Sequence, residues 1–226
     1  DIPHLCHDPR LAPSGACRMC LVEIEGQAGL HTSCTRLAEP GMIVHTETDA
    51  ICAIRQTNLE LFLSEHRVAC TTCDADGDCA LQDYAYRYHV MEERFPGVAS
   101  PEGRPNYTTG HKAIEYDPSK CIRCQRCVRI CAEVVRAEAL TLRGRALDVE
   151  VTTGFDVPLN DSTCEICGQC ISACPTAALW EREAKGQGRA KDLEKVRTTC
   201  TYCGVGCQLD LNVDRKRNRI VRVTSE

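Results

Sequence analysis

The chain has 226 residues, 19 of which are cysteine, and only 4% of its residues are aromatic. So few large apolar side chains disfavour one conventional core and favour several small modules, each organised around an inorganic centre. The net charge of −5 and the absence of an apolar run of roughly 18–20 residues predict no nucleic-acid partner and no membrane insertion.

The cysteine pattern distinguishes three kinds of cysteine chemistry. The odd cysteine count and the repeated Cys-x-x-Cys steps disfavour a disulfide framework, because cysteines so close together are poor disulfide partners. Zinc sites usually use two Cys-x-x-Cys pairs for each ion, whereas two runs of this chain place four cysteines within eleven residues. That density favours cuboidal clusters with four irons. The predicted fold class is α+β, with small modules in series.

The first predicted module spans residues 1–47. Val22 and Ile24 alternate with acidic residues and predict a half-buried strand that ends at Gly26. Four cysteines lie on a loop and beyond this strand. Their spacing is a variant of the plant-type [2Fe–2S] pattern, because the first gap of the plant-type pattern is shorter. The predicted ligands are Cys6, Cys17, Cys20 and Cys34. The module is therefore predicted to be a partial β-grasp domain, incomplete at its N-terminus.

A helical [4Fe–4S] module is predicted over residues 48–95. Apolar residues recur at helical spacing over 48–65, with Thr48 or Asp49 as the N-cap. Three cysteines follow, and they cannot complete a four-iron cluster alone. A lone histidine is more often structural, but His66 precedes this incomplete triplet and has a suitable donor nitrogen. The predicted ligands are His66, Cys70, Cys73 and Cys79.

Three neighbouring features hold no metal in this interpretation. The acidic stretch 74–78 has Cys79 and Ala85 where an EF-hand needs Gly and Glu, so a solvated acidic loop is predicted. Cys52 lies at an apolar position of the predicted helix and is interpreted as a small buried hydrophobe. Residues 96–110 are rich in Pro and Gly and predict a linker or an extended surface segment.

An internal duplication dominates the third predicted module, residues 96–184. Two runs have the same gaps of 2, 2 and 3 residues between cysteines, and Pro175 follows the second run. This is the bacterial two-[4Fe–4S] ferredoxin pattern, in which the fourth cysteine of each run ligates the other cluster. The predicted ligand sets are Cys121, Cys124, Cys127 and Cys174 for one cluster, and Cys164, Cys167, Cys170 and Cys131 for the other. An added strand is predicted over 147–151.

The last predicted segment, residues 185–226, begins with a linker over 185–191. Alternating apolar residues over 209–213 and 220–223 predict a β-hairpin. A fifth cysteine group precedes this hairpin and consists of Cys200, Cys203 and Cys207. Its fourth ligand is expected outside this chain.

The order of these motifs resembles a known family. The run from Cys6 to Cys79 resembles the N-terminal region of the large iron–sulfur subunit of complex I, of multi-cluster iron-only hydrogenases, and of NAD-dependent formate dehydrogenase alpha subunits. Complex I subunits typically keep only one of the two clusters of the double ferredoxin run, whereas the hydrogenases and the formate dehydrogenases keep both clusters. The segment from Thr199 to Leu209 looks like the opening of a molybdopterin oxidoreductase domain. The resemblance points to a cytoplasmic, molybdenum- or tungsten-containing formate dehydrogenase.

The resemblance implies an oxidoreductase whose catalytic domain, with Mo or W on a bis-pterin guanine dinucleotide, belongs to the same polypeptide outside this chain. No residue here is therefore assigned to formate chemistry. The chain would hold one [2Fe–2S] cluster, three complete [4Fe–4S] clusters and a fifth [4Fe–4S] site. It would pass electrons between the formate/CO2 site and a flavin- and NAD-binding iron–sulfur subunit. The alternatives are a pure electron relay, as in complex I or a multi-cluster hydrogenase, and a stand-alone ferredoxin-like carrier.

Overall fold

The computed structural model describes residues 1–90, 94–95 and 106–225. Its helices are α1 (Asp49–Leu63), α2 (Ala80–Arg87), α3 (Arg126–Arg129) and α4 (Gln169–Ala173), and a π-helix (Ile130–Val135) continues α3. Its strands are β1 (Leu21–Ile24), β2 (His31–Thr32), β3 (Val44–His45), β4 (Ile114–Tyr116), β5 (Leu140–Arg143), β6 (Glu150–Thr153), β7 (Leu179–Glu181), β8 (Glu194–Thr199), β9 (Gln208–Asp214) and β10 (Arg219–Ser225). Short elements of mixed type agree with the predicted α+β modules in series.

The first sheet has the order β2-β1-β3, and both pairings are antiparallel. The strand predicted around Val22 and Ile24 is confirmed as the central strand β1. Both side chains are buried, because the strand lies between two partners and packs one face on α1. Strand β1 is therefore held by hydrogen bonds along both of its edges.

Helix α1 begins where the sequence predicts. Thr48 is its N-cap, and the Thr48 Oγ1 accepts a hydrogen bond from the Ile51 amide at 3.4 Å. The buried stripe of the helix nevertheless differs from the predicted apolar face. Arg55 is completely buried between Ile51 and Leu59, whereas Ile54 is 39% exposed. Burial of an arginine is tolerated only when its donors are satisfied, and the partners of Arg55 are described below.

The two cysteine runs of the duplication lie inside a frame made by β4 and β7. These strands pair antiparallel, and one precedes the first run while the other follows the second. A hairpin of β5 and β6 is inserted between the runs. The strand predicted over 147–151 is wrong in its bounds, because residues 144–149 connect the hairpin and the strand begins at Glu150. Gly144 is left-handed there (φ +82), and a Cβ would lie 2.2 Å from the Asp148 carbonyl oxygen.

The C-terminal sheet has the order β10-β9-β8. The predicted hairpin is confirmed as β9 and β10, and β8 is an additional strand along the other edge of β9. The segment 185–191 does not behave as a free linker. The amides of Ala190 and Lys191 each donate at 2.8 Å to the carbonyls of Asp74 and Asp76, so this segment is docked on the acidic loop.

The modules share their hydrophobic cores. One buried cluster combines Leu5 and Met19 of the first module with Leu59 and Leu81 of the second and Ile122 of the third. The interior of one module is thus completed by side chains from its neighbours. The predicted linker over 96–110 lies outside the described residues except for 106–110. Within the described residues, no helix has the length and apolar character that crossing a membrane requires.

Candidate iron–sulfur sites

All 19 cysteines lie in the described part of the chain, and each is a free thiol. A structural zinc ion needs donors that converge at about 2.0–2.3 Å on one point. Within the described ranges, no group of three or more His, Cys, Asp or Glu side chains is arranged to hold a single metal ion. Three of the predicted ligand groups line cavities instead, as a polynuclear cluster requires.

The structure brings the four cysteines of the first group together beside β1. Cys20 precedes β1 and Cys34 follows its partner β2, so strand pairing sets their Sγ atoms 3.4 Å apart. Cys6 Sγ accepts hydrogen bonds from the Cys17 amide at 3.3 Å and from Ser14 Oγ at 3.4 Å. A hydrogen bond from the Cys17 thiol lowers the pKa of Cys6 to about 4, and the same hydrogen bond, with burial, raises the pKa of Cys17. Donors aimed at sulfur in this way stabilise thiolates, which are the form that binds iron.

Buried Arg55 fastens this ligand loop to α1. Its Nε donates to the Met19 carbonyl at 2.9 Å and its Nη2 donates to the Leu21 carbonyl at 2.9 Å, so it binds the backbone on both sides of Cys20. Its Nη1 contacts Glu47 Oε1 at 3.0 Å and the Tyr88 hydroxyl at 2.8 Å. Every nitrogen of the guanidinium fork thereby has an acceptor. The sequence signal for this role is weak, because an arginine in an amphipathic helix normally faces solvent.

The second group surrounds a cavity lined mainly by the loop that connects α1 to α2. This cavity is lined by His66, Cys70, Cys73 and Cys79, together with Lys120 and Ala177. His66 follows the C-terminal end of α1, and Cys79 is the N-cap of α2. The two helices therefore hold the outer ligands, and the loop between the helices carries Cys70 and Cys73.

The ring of His66 is held by a main-chain acceptor. Its Nδ1 lies 3.0 Å from the Lys120 carbonyl oxygen, so the tautomer that donates there leaves the Nε2 lone pair for a metal. Burial lowers the pKa of His66, which favours the neutral imidazole that a metal needs. The environment of His66 thus matches that of a ligating histidine.

The duplication is visible in the backbone of both ferredoxin runs. Arg123 and Gln125 are left-handed, and so are Ile166 and Gly168, at the same offsets within the second run. Such conformations turn amide groups toward a sulfur, and the Arg123 amide donates to Cys121 Sγ at 3.4 Å. The two cluster loops therefore repeat one local geometry, as the repeated spacing predicts.

Each of two cavities is lined by three cysteines of one run and the fourth of the other. The first is lined by Cys121, Cys124, Cys127 and Cys174. The second is lined by Cys131, Cys164, Cys167 and Cys170. This placement is the one that crossed ligation requires, because α3 with its π-helix packs against α4. Burial raises the pKa of Cys170 to about 12 and the pKa of Cys127 well above its usual value, so these thiols need a positive iron centre to ionise.

The fifth group lies in the turn between β8 and β9. The Cys200 amide donates to the Cys207 carbonyl at 2.8 Å, which brings the ends of the turn together. Cys203 and Cys207 are exposed, and Cys200 is half-buried. Three thiols on this open turn would supply three of the four ligands that a four-iron cluster needs.

Two side features differ from expectation. Cys52 is half-buried rather than fully buried, and its thiol donates to Glu47 Oε2 at 3.4 Å. The acidic loop is only partly solvated. Asp76 is 7% exposed and its Oδ2 lies 2.7 Å from Lys191 Nζ, because the segment after residue 184 folds back over the loop.

Family models match the chain in four consecutive parts. Residues 1–49 match a 2Fe-2S iron-sulfur cluster binding domain, and residues 55–94 match the NADH-ubiquinone oxidoreductase-G iron-sulfur binding region. Residues 111–180 match the ferredoxin-like domain of NADH-quinone oxidoreductase subunit 3, and residues 193–226 match the molybdopterin oxidoreductase Fe4S4 domain. These four parts together account for most of the chain.

A solved structure of similar sequence gives the decisive comparison. The chain is 31% identical to a chain of an NAD+-reducing [NiFe]-hydrogenase crystal structure, with a TM-score of 0.72 over 82% of this chain and 77% of that chain. The chain belongs to the family of iron–sulfur proteins that includes NAD-reducing hydrogenase chains and NADH-quinone oxidoreductase G. Within that family, it combines [2Fe–2S] and [4Fe–4S] binding domains with the molybdopterin oxidoreductase Fe4S4 domain.

Curated relatives in this family are similar over the whole chain. The G 2 subunit of the NADH-quinone oxidoreductase of Rhizobium meliloti is 38% identical, and the alpha subunit of the NADPH-Fe(3+) oxidoreductase of Geobacter sulfurreducens is 35% identical. Each match covers 100% of this chain and 26% of that protein. The chain thus spans about a quarter of the length of these curated relatives. A putative formate dehydrogenase of Staphylococcus haemolyticus is 26% identical over 93% of this chain and 25% of that protein, so formate dehydrogenase is one relative among several.

Proposed function

We propose that this chain is the iron–sulfur electron-transfer portion of a formate dehydrogenase alpha subunit. In this proposal it carries electrons between a formate/CO2 site, with Mo or W on a pterin, and a partner subunit with flavin that reduces NAD. The observation that carries the proposal is the order of ligand groups. A double ferredoxin run is followed by a segment that matches the molybdopterin oxidoreductase Fe4S4 domain.

The residues present fit the clusters that the family implies. When bound, iron–sulfur clusters supply one-electron transfer, whereas formate and NAD each exchange two electrons. The protein's contribution is to hold thiolates, exclude water and fix spacing. Buried thiols such as Cys127 and Cys170, and the neutral ring of His66, are suited to that task, because iron binding compensates the cost of ionising a buried thiol.

The shared hydrophobic core supports a relay role. Cys6 and Cys17 of the first group belong to the same buried cluster as Ile122, and Cys79 and Cys124 pack against it. Ligands from three predicted clusters are therefore adjacent within one apolar region. Such an arrangement holds redox centres at fixed separation within one apolar region.

A second candidate is a relay subunit of an NADH-quinone oxidoreductase or a hydrogenase, without a formate site. The 38% identity to the NADH-quinone oxidoreductase protein of Rhizobium meliloti favours it. The two candidates share the cluster-bearing chain and differ in the catalytic domain. A Mo or W site on a pterin is required by the first candidate and not by the second.

The test is metal and activity analysis of the native complex, purified anaerobically. The proposal expects iron, acid-labile sulfide and Mo or W in one complex, and reduction of NAD by formate. Iron and sulfide with neither Mo nor W, together with NADH-quinone or hydrogen activity, would replace the first candidate by the second. Absence of acid-labile sulfide would overturn both.

A further inference from the structure

Lys120 lies at the junction of two predicted clusters. It directly precedes Cys121, a predicted ligand of the first ferredoxin cluster. Its carbonyl oxygen accepts a hydrogen bond from His66 Nδ1 at 3.0 Å and another from Thr176 Oγ1 at 3.0 Å. The Lys120 backbone is therefore tied to a ligand of the neighbouring cluster and held by a residue beside Cys174.

The side chain of Lys120 also points toward the predicted cluster site of His66. Its Nζ lies 3.6 Å from Cys73 Sγ, within hydrogen-bonding distance for sulfur, and the side chain is only 15% exposed. Asp117 is its other charged neighbour, at 3.8 Å. The Ser119 amide and hydroxyl donate to Asp117 Oδ1 at 3.0 and 2.5 Å, whereas the Lys120 ammonium faces Oδ2 from 3.8 Å, which is beyond hydrogen-bonding distance.

Two carboxylates near this site are already paired with other cations. Asp76 contacts Lys191 at 2.7 Å and Arg189 at 3.7 Å. Glu65 contacts Arg123 at 2.6 Å. Arg67 also lines the cavity, but it is Lys120 whose cationic nitrogen lies within hydrogen-bonding distance of a ligand sulfur.

We propose that Lys120 raises the reduction potential of the cluster held by His66, Cys70, Cys73 and Cys79, by donating a hydrogen bond from its ammonium to the Cys73 thiolate. The inference rests on the proposed iron–sulfur function and adds a positioning residue to it. Reduction adds negative charge to the cluster, and a cationic donor at a ligand sulfur stabilises the reduced form more than the oxidised form. The carbonyl of the same residue orients the His66 ring, so one residue controls two ligands of the site.

The experiment compares Lys120→Met and Lys120→Arg in the anaerobically purified complex. Methionine keeps the length and the apolar stem but removes the charge, and arginine retains a cationic donor. The cluster's signal is recognised by the 14N coupling of His66 in pulsed electron paramagnetic resonance, and its midpoint is followed by redox titration. Lys216→Met, at an exposed turn of the C-terminal hairpin, is the matched control.

We expect Lys120→Met to lower the midpoint of the 14N-coupled signal, Lys120→Arg to restore most of the shift, and Lys216→Met to leave it unchanged. Iron and sulfide content should equal that of the wild type in all three. An unchanged midpoint in a Lys120→Met protein with full iron content would overturn the role of Lys120 and leave the proposed His66 site standing. Absence of any 14N-coupled cluster in the wild type would overturn the proposed His66 site itself. If Lys120→Met loses the cluster, Lys120→Gln removes the charge while keeping a donor; a lower midpoint is then expected, and an unchanged midpoint would overturn the role of the ammonium.

Discussion

The buried carboxylate of Asp8 accepts a hydrogen bond from Arg126 Nη2 at 2.9 Å, although 118 positions separate the two residues. Arg10 Nη2 contacts the same oxygen at 2.8 Å. These two guanidiniums, Arg10 first, hold the pKa of the Asp8 carboxyl well below its usual range. Leu11 packs beside the contact on Ile130 and Ala173. The N-terminal module is thereby docked on both halves of the ferredoxin-like region.

Asp8→Asn should loosen this docking. The substitution keeps the shape but removes the charge that two guanidiniums share, and hydrogen bonds to charged groups contribute about 1.5–3 kcal/mol each. We expect the free energy of local opening over residues 1–20 to fall by about 2 kcal/mol, measured by hydrogen exchange of the intact complex. Asp192→Asn removes an exposed pair with Arg189 and serves as the control. Equal exchange in both variants would contradict the docking role.

His66→Cys should lower the midpoint potential of its cluster. A thiolate adds one negative charge relative to a neutral imidazole, and the added charge disfavours reduction. Redox titration measures the midpoint, and loss of the 14N coupling verifies the ligand exchange. His45→Cys places the same substitution at a half-exposed strand position paired with Glu25 and should have no effect. An unchanged or higher midpoint in His66→Cys would refute ligation by His66.

Cys131→Ala tests crossed ligation in the ferredoxin pair. The crossed assignment expects Cys131→Ala to alter the same cluster signal as Cys164→Ala, because both residues line one cavity. It expects Cys127→Ala to alter the other signal, since Cys127 lines the first cavity, together with Cys121, Cys124 and Cys174. Electron paramagnetic resonance of the three reduced variants makes the comparison. Cys52→Ala should leave both signals intact. If Cys131→Ala and Cys127→Ala alter the same cluster signal, the crossed assignment is wrong.

Arg55→Met should destabilise the first module strongly. The exchange leaves the carbonyls of Met19 and Leu21 without their donor, and each buried polar group left unpaired costs about 1–3 kcal/mol. We expect a loss of about 3 kcal/mol or more, seen as earlier thermal loss of the [2Fe–2S] circular dichroism signal. Arg36→Met, at a half-exposed position, should change it little. A normal melting profile for Arg55→Met would show that the guanidinium bonds are dispensable.

Local patterns predicted the ligand groups and several elements. The Thr48 N-cap, strand β1 and the C-terminal hairpin follow from side-chain chemistry within a few residues, so composition and spacing suffice to predict them. The strand around residue 150 was misplaced because the left-handed turn at Gly144 and the short helical turn at 146–148 form the hairpin connection, so the strand begins only at Glu150.

The sequence by itself determined the spacing of the candidate iron ligands, because Cys-x-x-Cys spacing is a property of the chain alone. Only the tertiary structure decided how the groups meet: Asp8 against Arg126, His66 against Lys120, and Arg55 beneath the loop of Cys20. Each of these contacts joins residues that are far apart in the chain. Their energy comes from burying charge and hydrogen bonds together, and that depends on which surfaces fold against each other.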